Sequence, residues 1–332
     1  MSAWRASAIP LSMFSLASFV FSFRAELNAQ DSPPIFRTTT ELVLVDVQVL
    51  HKRTGTPAAS LRARDLRVFE DGVPQEIREF SRDELPLSVV LLFDLSTTAH
   101  SVLKRMAAGA KTSLVHFKPA DEAAVMVYGP GARVVDGFST DRDRTARAIA
   151  QAAALGDEGE SYFNEAVYQA AVQLRQSRTL ANRRVILWLT DNDPNVPVHT
   201  GNPVHSEIEA IRSLHEEGAV VAPLLLRDLK WLPLSTAMSV IYAPWVKSHP
   251  PGDARKYAEW TGGQVISLRG KKSNDQLGEL IDELRARYTV GYRPAQSKPA
   301  GMFCKLRVEL APDGPLRAKE WTVVARQGYY RK

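Results

Sequence analysis

The middle of the chain is dominated by five continuous apolar runs, at 88–94, 123–128, 184–191, 220–226 and 264–268. Runs of this length with no polar alternation are buried on both faces, as the strands of a parallel sheet are. Between them the apolar residues recur at helical spacing, which predicts helices near 100–117, 141–154, 163–177, 204–217, 252–260 and 274–287. A further strand at 133–138 fits a sheet edge. Strand and helix in alternation predict an α/β fold, a doubly wound and mostly parallel sheet with helices on both faces. In such sheets ligands bind at the carboxyl ends of strands, where Asp94 and Asp191 both stand.

The two ends of the chain read differently. Residues 41–50 alternate around Val43, Val45, Val47 and Val49, a half-buried strand. Residues 66–70 and 75–80 flank Asp71-Gly72-Val73-Pro74, and Asp-Gly between two β-rich runs predicts a hairpin. The tail returns to strands at 288–292, 305–310 and 321–326. The expected organisation is a leader over 1–29, a small amino-terminal β module over 37–84, the α/β domain over 85–290 and a carboxyl-terminal β-strand extension over 291–332.

The leader follows from Arg5, a run at 9–23 that is apolar apart from serines and one proline, and Leu27-Asn28-Ala29 as a cleavage site before Gln30. The run is shorter than the about 20 residues of a spanning helix, so the mature protein is expected to be exported, periplasmic or secreted, with membrane contact only if the leader is uncleaved. Cys304 is the single cysteine of 332 residues, so no internal disulfide forms and stability comes from the core. It sits in a strand-like run as a small core or edge residue. The net charge of +5 is spread along the chain, and no nucleic-acid partner is expected.

The candidate chemistry lies at the strand ends. Asp94-Leu95-Ser96-Thr97-Thr98 places one carboxylate and two hydroxyls at alternating positions directly after an apolar run. A second loop, Gly159-Glu160-Ser161, offers the Ser161 hydroxyl, which also competes for a capping role on the helix that follows. A third, Thr190-Asp191-Asn192-Asp193, offers Asp191, with Thr190 as a supporting donor and Asn192 and Asp193 as turn residues. Hard oxygen donors from separate loops suit Mg²⁺ or another hard divalent cation, Mn²⁺ or Ca²⁺.

This pattern resembles the von Willebrand factor type A (vWA) domain with its metal-ion-dependent adhesion site, in which D-x-S-x-S on one loop joins a Thr and an Asp on two others. Asp94, Ser96 and Asp191 match; Thr98 replaces Ser and Ser161 replaces Thr, and both keep the hydroxyl. Asp46-Val47-Gln48-Val49, the segment 65–75, Arg287-Tyr288-Thr289-Val290-Gly291-Tyr292 and Arg326-Gln327-Gly328-Tyr329-Tyr330 resemble flanking signatures of a bacterial "VWFA-related" subfamily frequent in acidobacteria. The resemblance implies that Asp94, Ser96, Thr98, Ser161 and Asp191 hold the cation and leave a coordination position for an acidic side chain of a protein partner.

Other signals carry less. Gly270-Lys271-Lys272-Ser273 departs from the spacing of a phosphate-binding loop, Ser139 or Thr140 reads as a helix cap, and the histidines form no His-Glu-x-x-His. His100 reads as a solvated helix-start residue. Trp231, Tyr242 and Trp245 form a recognition surface or a loop packed on the sheet. No general base or nucleophile stands beside the ligands, so the expectation is a binding module and not an enzyme. A metal-dependent hydrolase or phosphotransferase, and a metal-free scaffold, are the alternatives.

Overall fold

The structure is a computed structural model that describes residues 42–82, 84–179, 182–193, 204–226, 250–267, 273–295 and 298–331, all within one compact unit, Thr40–Lys332. The leader and the segment holding Trp231, Tyr242 and Trp245 lie outside the described residues. The chain begins with strands β1 (Val43–His51), β2 (Leu66–Glu70), β3 (Val73–Gln75) and β4 (Ile77–Ser81). It continues through β5 (Leu87–Asp94), helix α1 (Thr97–Ser113), β6 (Glu122–Tyr128), β7 (Ala132–Ser139), α2 (Arg142–Ala153), α3 (Phe163–Leu174) and β8 (Arg183–Thr190). Then come α4 (Glu207–Glu217), β9 (Val220–Leu225), α5 (Ala254–Thr261), β10 (Ile266–Ser267) and α6 (Ser273–Arg285). Strands β11 (Tyr288–Tyr292), β12 (Phe303–Leu310), β13 (Trp321–Ala325) and β14 (Gly328–Tyr330) close it.

Six strands form the central sheet in the order β10-β9-β8-β5-β6-β7, parallel except for the edge strand β7. All eight residues of β5 are buried, and β6 and β8 flank it. Alternate side chains go to opposite faces: Leu87, Val89, Leu91 and Phe93 pack with α1, α2 and α6, and Val90 and Leu92 with α3, α4 and α5. The sheet is thus doubly wound, as the uninterrupted apolar runs predict. From β5 the chain moves to β6 on one side and later returns to β8 on the other, so the order reverses between β5 and β8. That reversal opens a crevice at their carboxyl ends.

Caps locate the helix starts. Ser96 caps α1 through Ala99 N–H (3.4 Å), and Ser206 caps α4 in a reciprocal box with Glu209. The cap of α2 is Asp141, which accepts from the amides of Asp143 and Arg144; this corrects the assignment to Ser139 or Thr140, and Ser139 Oγ instead accepts from Asp141 N–H (3.0 Å). Tyr162 occupies the cap position of α3 without a side-chain bond, so Ser161 does not cap that helix.

The remaining strands build two antiparallel four-stranded sheets, β13-β1-β11-β4 and β14-β12-β2-β3, around one core that includes Val45, Val47, Val68, Val290, Tyr292 and Leu306. Each sheet draws strands from both ends of the chain. The Asp71-Gly72 turn, with φ of 49° and 85°, joins β2 to β3 as expected. The run 75–80 is not one strand: it breaks at Glu76, and β3 and β4 enter different sheets. Cys304 is buried in β12.

Buried charges tie the two bodies together. Arg183, at the start of β8, forks onto Asp46 of β1 (2.8 and 3.0 Å) and donates to the carbonyls of Leu284 (2.9 Å) and Arg285 (2.6 Å) at the end of α6. His215 of α4 stacks on Trp260 of α5 and Phe303 of β12, with centroids 6.1 and 5.7 Å away. Burial and the nearby Arg326 charge lower its pKa to about 4, against the bond from its ring N–H to Trp260 O.

Two outcomes are expected. Leu91→Ala leaves a cavity at the centre of the sheet and costs about 2–5 kcal/mol in urea unfolding. Because His215 titrates lower in the folded than in the unfolded chain, stability falls as pH drops from about 6.5 towards 4. The full loss is on the order of 3 kcal/mol, and His215→Gln removes that portion of the pH dependence.

Candidate functional site

Asp94 ends β5 at the crevice, fully buried. Its Oδ1 accepts from Ser96 N–H (2.9 Å), and its Oδ2 accepts from the hydroxyls of Tyr128 and Thr190, each at 2.7 Å. Trp188 Nε1–H in turn donates to the Tyr128 oxygen (2.9 Å). Parallel register produces this arrangement: Asp94 lies opposite Tyr128 on β6, and Thr190 ends the neighbouring β8. All the donors are neutral, and desolvation raises the Asp94 pKa despite them.

Asp191 follows β8 and is 4% exposed. Burial first, and then the Asp94 charge, push its pKa up to about 7, while a hydrogen bond from Thr98 opposes the shift. Thr98 therefore links the first loop to the third, and its hydroxyl lies 3.4 Å from Ser96 Oγ. Asn192 adopts φ of 60°, a conformation that asparagine tolerates, and its side chain holds Asp253 and the Ala254 amide at the start of α5.

The second loop is fastened to the first. Ser96 bridges Gly159, Thr97 N–H donates to Gly159 O (3.1 Å), and Asp157 Oδ1 accepts from Gly159 N–H (2.7 Å) and Thr97 Oγ1 (3.0 Å). Ser161, two residues further on, is fully buried. The structure thus draws Asp94, Ser96, Thr98 and Asp191 into one bonded cluster and sets Ser161 on the adjoining loop. Tyr128 and Trp188 were not singled out in the sequence. The only signal for Tyr128 was a polar-tipped aromatic at a strand's carboxyl end; for Trp188 there was none, because its partner comes from another strand.

The donor set fits a hard cation. Every candidate ligand is an oxygen, and both buried carboxyls have raised pKa values, Asp94 through desolvation and Asp191 through desolvation and the Asp94 charge, a state that a divalent charge relieves. Another acidic group, Glu70, Asp71 and Cys304, lies within 4.8 Å on the sandwich, but it is a weak candidate. Tyr292 and Tyr329 donate to Glu70 (2.6 and 3.1 Å), and Lys298 pairs with Asp71 (2.5 Å).

A family model described as von Willebrand factor type A domain matches residues 89–193, which run from β5 through the third loop. No curated protein matches. Among solved structures, an aerotolerance-related membrane protein from Bacteroides fragilis NCTC 9343 is 13% identical, with a TM-score of 0.42 over 60% of this chain and 98% of its own. BatB from Bacteroides thetaiotaomicron is 12% identical, with the same score and coverage. A von Willebrand factor type A protein from Catenulispora acidiphila is 13% identical, with a TM-score of 0.42 over 89% of this chain and 75% of its own. At this level of likeness the fold rests on the chain's own sheet order and on the family match.

Tyr128→Phe deletes the hydroxyl between Trp188 and Asp94 and leaves both groups short of a partner. It is expected to cost about 1–3 kcal/mol in denaturant unfolding of the metal-free protein.

Proposed function

We propose that this chain is an exported protein-interaction module that holds a divalent cation at Asp94, Ser96, Thr98, Ser161 and Asp191 and presents it to an acidic side chain of a protein partner. The vWA match over 89–193 supports the general reading of an interaction module. The observation that carries the finer reading is the pair of buried carboxyls, Asp94 and Asp191, joined through hydroxyl groups at the point where the strand order reverses. Thr98 and Ser161 keep the oxygen chemistry of the family pattern, and Mg²⁺, with Mn²⁺ or Ca²⁺ as substitutes, suits that donor set.

When bound, the cation supplies a fixed positive charge that attracts a carboxylate in a partly dry interface. The chain's own groups orient the ligands. Tyr128 and Thr190 fix the Asp94 carboxylate, and Asp157 fixes the loop before Ser161. We assign no general base or nucleophile beside these groups among the described residues, and read the site as one of binding and not turnover. Export is part of this reading and rests on the leader expected over 1–29.

Calorimetric titration with Mg²⁺ and Mn²⁺ is expected to give one site per chain, lost in Asp94→Ala and weakened in Thr98→Val. Circular dichroism checks that each variant folds. Envelope proteins captured by the immobilised chain are expected to be released by chelator. Absence of cation binding would overturn the metal reading and leave a scaffold; metal-dependent hydrolysis abolished by Asp191→Ala would replace the binding module with an enzyme.

A further inference from the structure

A cavity of about 660 Å³ lies at the opposite end of the sheet, where the amino ends of β8 and β9 meet β1 and the β13–β14 segment. It is larger than the gaps of ordinary packing and falls within the range of small-molecule sites. Four guanidinium groups line it, from Arg175, Arg183, Arg184 and Arg326, against three carboxylates, from Asp46, Glu216 and Glu217.

Three of the four cations are paired. Arg183 forks onto Asp46, Arg184 bonds Glu217, and Arg175 also reaches Glu217 (2.7 Å). Arg326 is the exception: Nη2 donates to the carbonyl of Leu44 (2.7 Å), the guanidinium lies over the Tyr329 ring (5.4 Å to its centroid), Nε has no hydrogen-bond partner, and no carboxylate bonds it among the described residues, although the Asp46 charge acts on it from a distance. Three more lining side chains hold buried polar atoms without partners, at Arg184 Nε, Thr289 Oγ1 and His215 Nδ1. His215 is neutral near pH 7, so it neither adds to the positive charge nor cancels it.

Arg326 is half-buried, and holding a guanidinium out of water without a bonded carboxylate is costly; an anion that reaches it and satisfies its hydrogen bonds recovers that cost. The imbalance is a single charge, and the three wall carboxylates repel a doubly charged ligand. Leu42 and Leu44, 37% and 53% exposed, supply apolar surface beside the cavity, and Tyr330 adds an aromatic wall.

We propose that this cavity is a second ligand site, which binds a small monocarboxylate with an apolar or aromatic body and holds its carboxylate on Arg326. The site is independent of the cation at the other end of the sheet, because it shares no residue with it.

The test uses the full mature chain in chelator, with three probes followed by ligand-observed ¹⁹F NMR: 4-fluorophenylacetate, its neutral analogue 4-fluorophenethyl alcohol, and the dianion 4-fluorophenyl phosphate. The acid is expected to bind best. Arg326→Gln is expected to weaken the acid about tenfold or more and to leave the alcohol unchanged. Leu44→Glu, on a side chain 53% exposed and with its fold checked by circular dichroism, places a negative charge near Arg326 and is expected to weaken the acid about threefold or more. The proposal is overturned if no probe binds at millimolar concentration (a hydrated cavity only), if acid and alcohol bind alike, if the phosphate binds more tightly than the acid, or if Leu44→Glu binds the acid like the parent.

Discussion

Strand β5 has hydrogen-bonded neighbours on both edges and helices on both faces, so it can meet a ligand only at its ends, and the crevice lies at the carboxyl end. The side chain placed there is a carboxylate. Burying Asp94 without a full positive partner would be prohibitive if its oxygens were unsatisfied. Three neutral donors satisfy them, and the three come from the first loop, β6 and β8. The site is therefore part of the sheet's edge-to-edge pairing: a change in register between β5 and either neighbour would remove a donor from Asp94.

Asp191 shows what this neutral solvation leaves undone. Hydrogen bonds orient a carboxylate but do not cancel its charge, and two carboxyls at one crevice repel. Two carboxyls thus share the crevice, with Ser96, Thr98 and Thr190 bonded to them or to each other. Asp94 is held by neutral donors alone, which distinguishes it from the group of Glu70, Asp71 and Cys304, where the Lys298 cation already pairs with Asp71.

The β sandwich anchors the other end of the sheet. Strands from both ends of the chain pair with each other, so the α/β segment leaves the sandwich after β4 and returns at β11. Arg183 makes the join rigid by bonding a strand of each body and the end of α6 at once. Where β13 stops pairing with β1 at Val47, the guanidinium of Arg326 takes over the Leu44 carbonyl, and the cavity lies beside this handover. The two ends of the central sheet thus differ in electrostatic sense: surplus negative charge at the carboxyl ends, surplus positive charge at the amino ends.

By itself the sequence determined the alternation of strand and helix, the hairpin at Asp71-Gly72 and the placing of Asp94 and Asp191 at strand ends. Each of these is a local or periodic property: an unbroken apolar run, a turn dipeptide, a polar residue where the run stops. Tertiary structure decided which loops meet. That Thr98 bonds Asp191, that Tyr128 and Trp188 support Asp94, and that β3 and β4 part into different sheets all depend on strand order and register. The cap of α2 at Asp141, in place of Ser139 or Thr140, turned on one or two residues of backbone path. That Arg326, unlike the other three arginines of the cavity, has no bonded carboxylate was likewise invisible, because an arginine's partners lie far away in sequence.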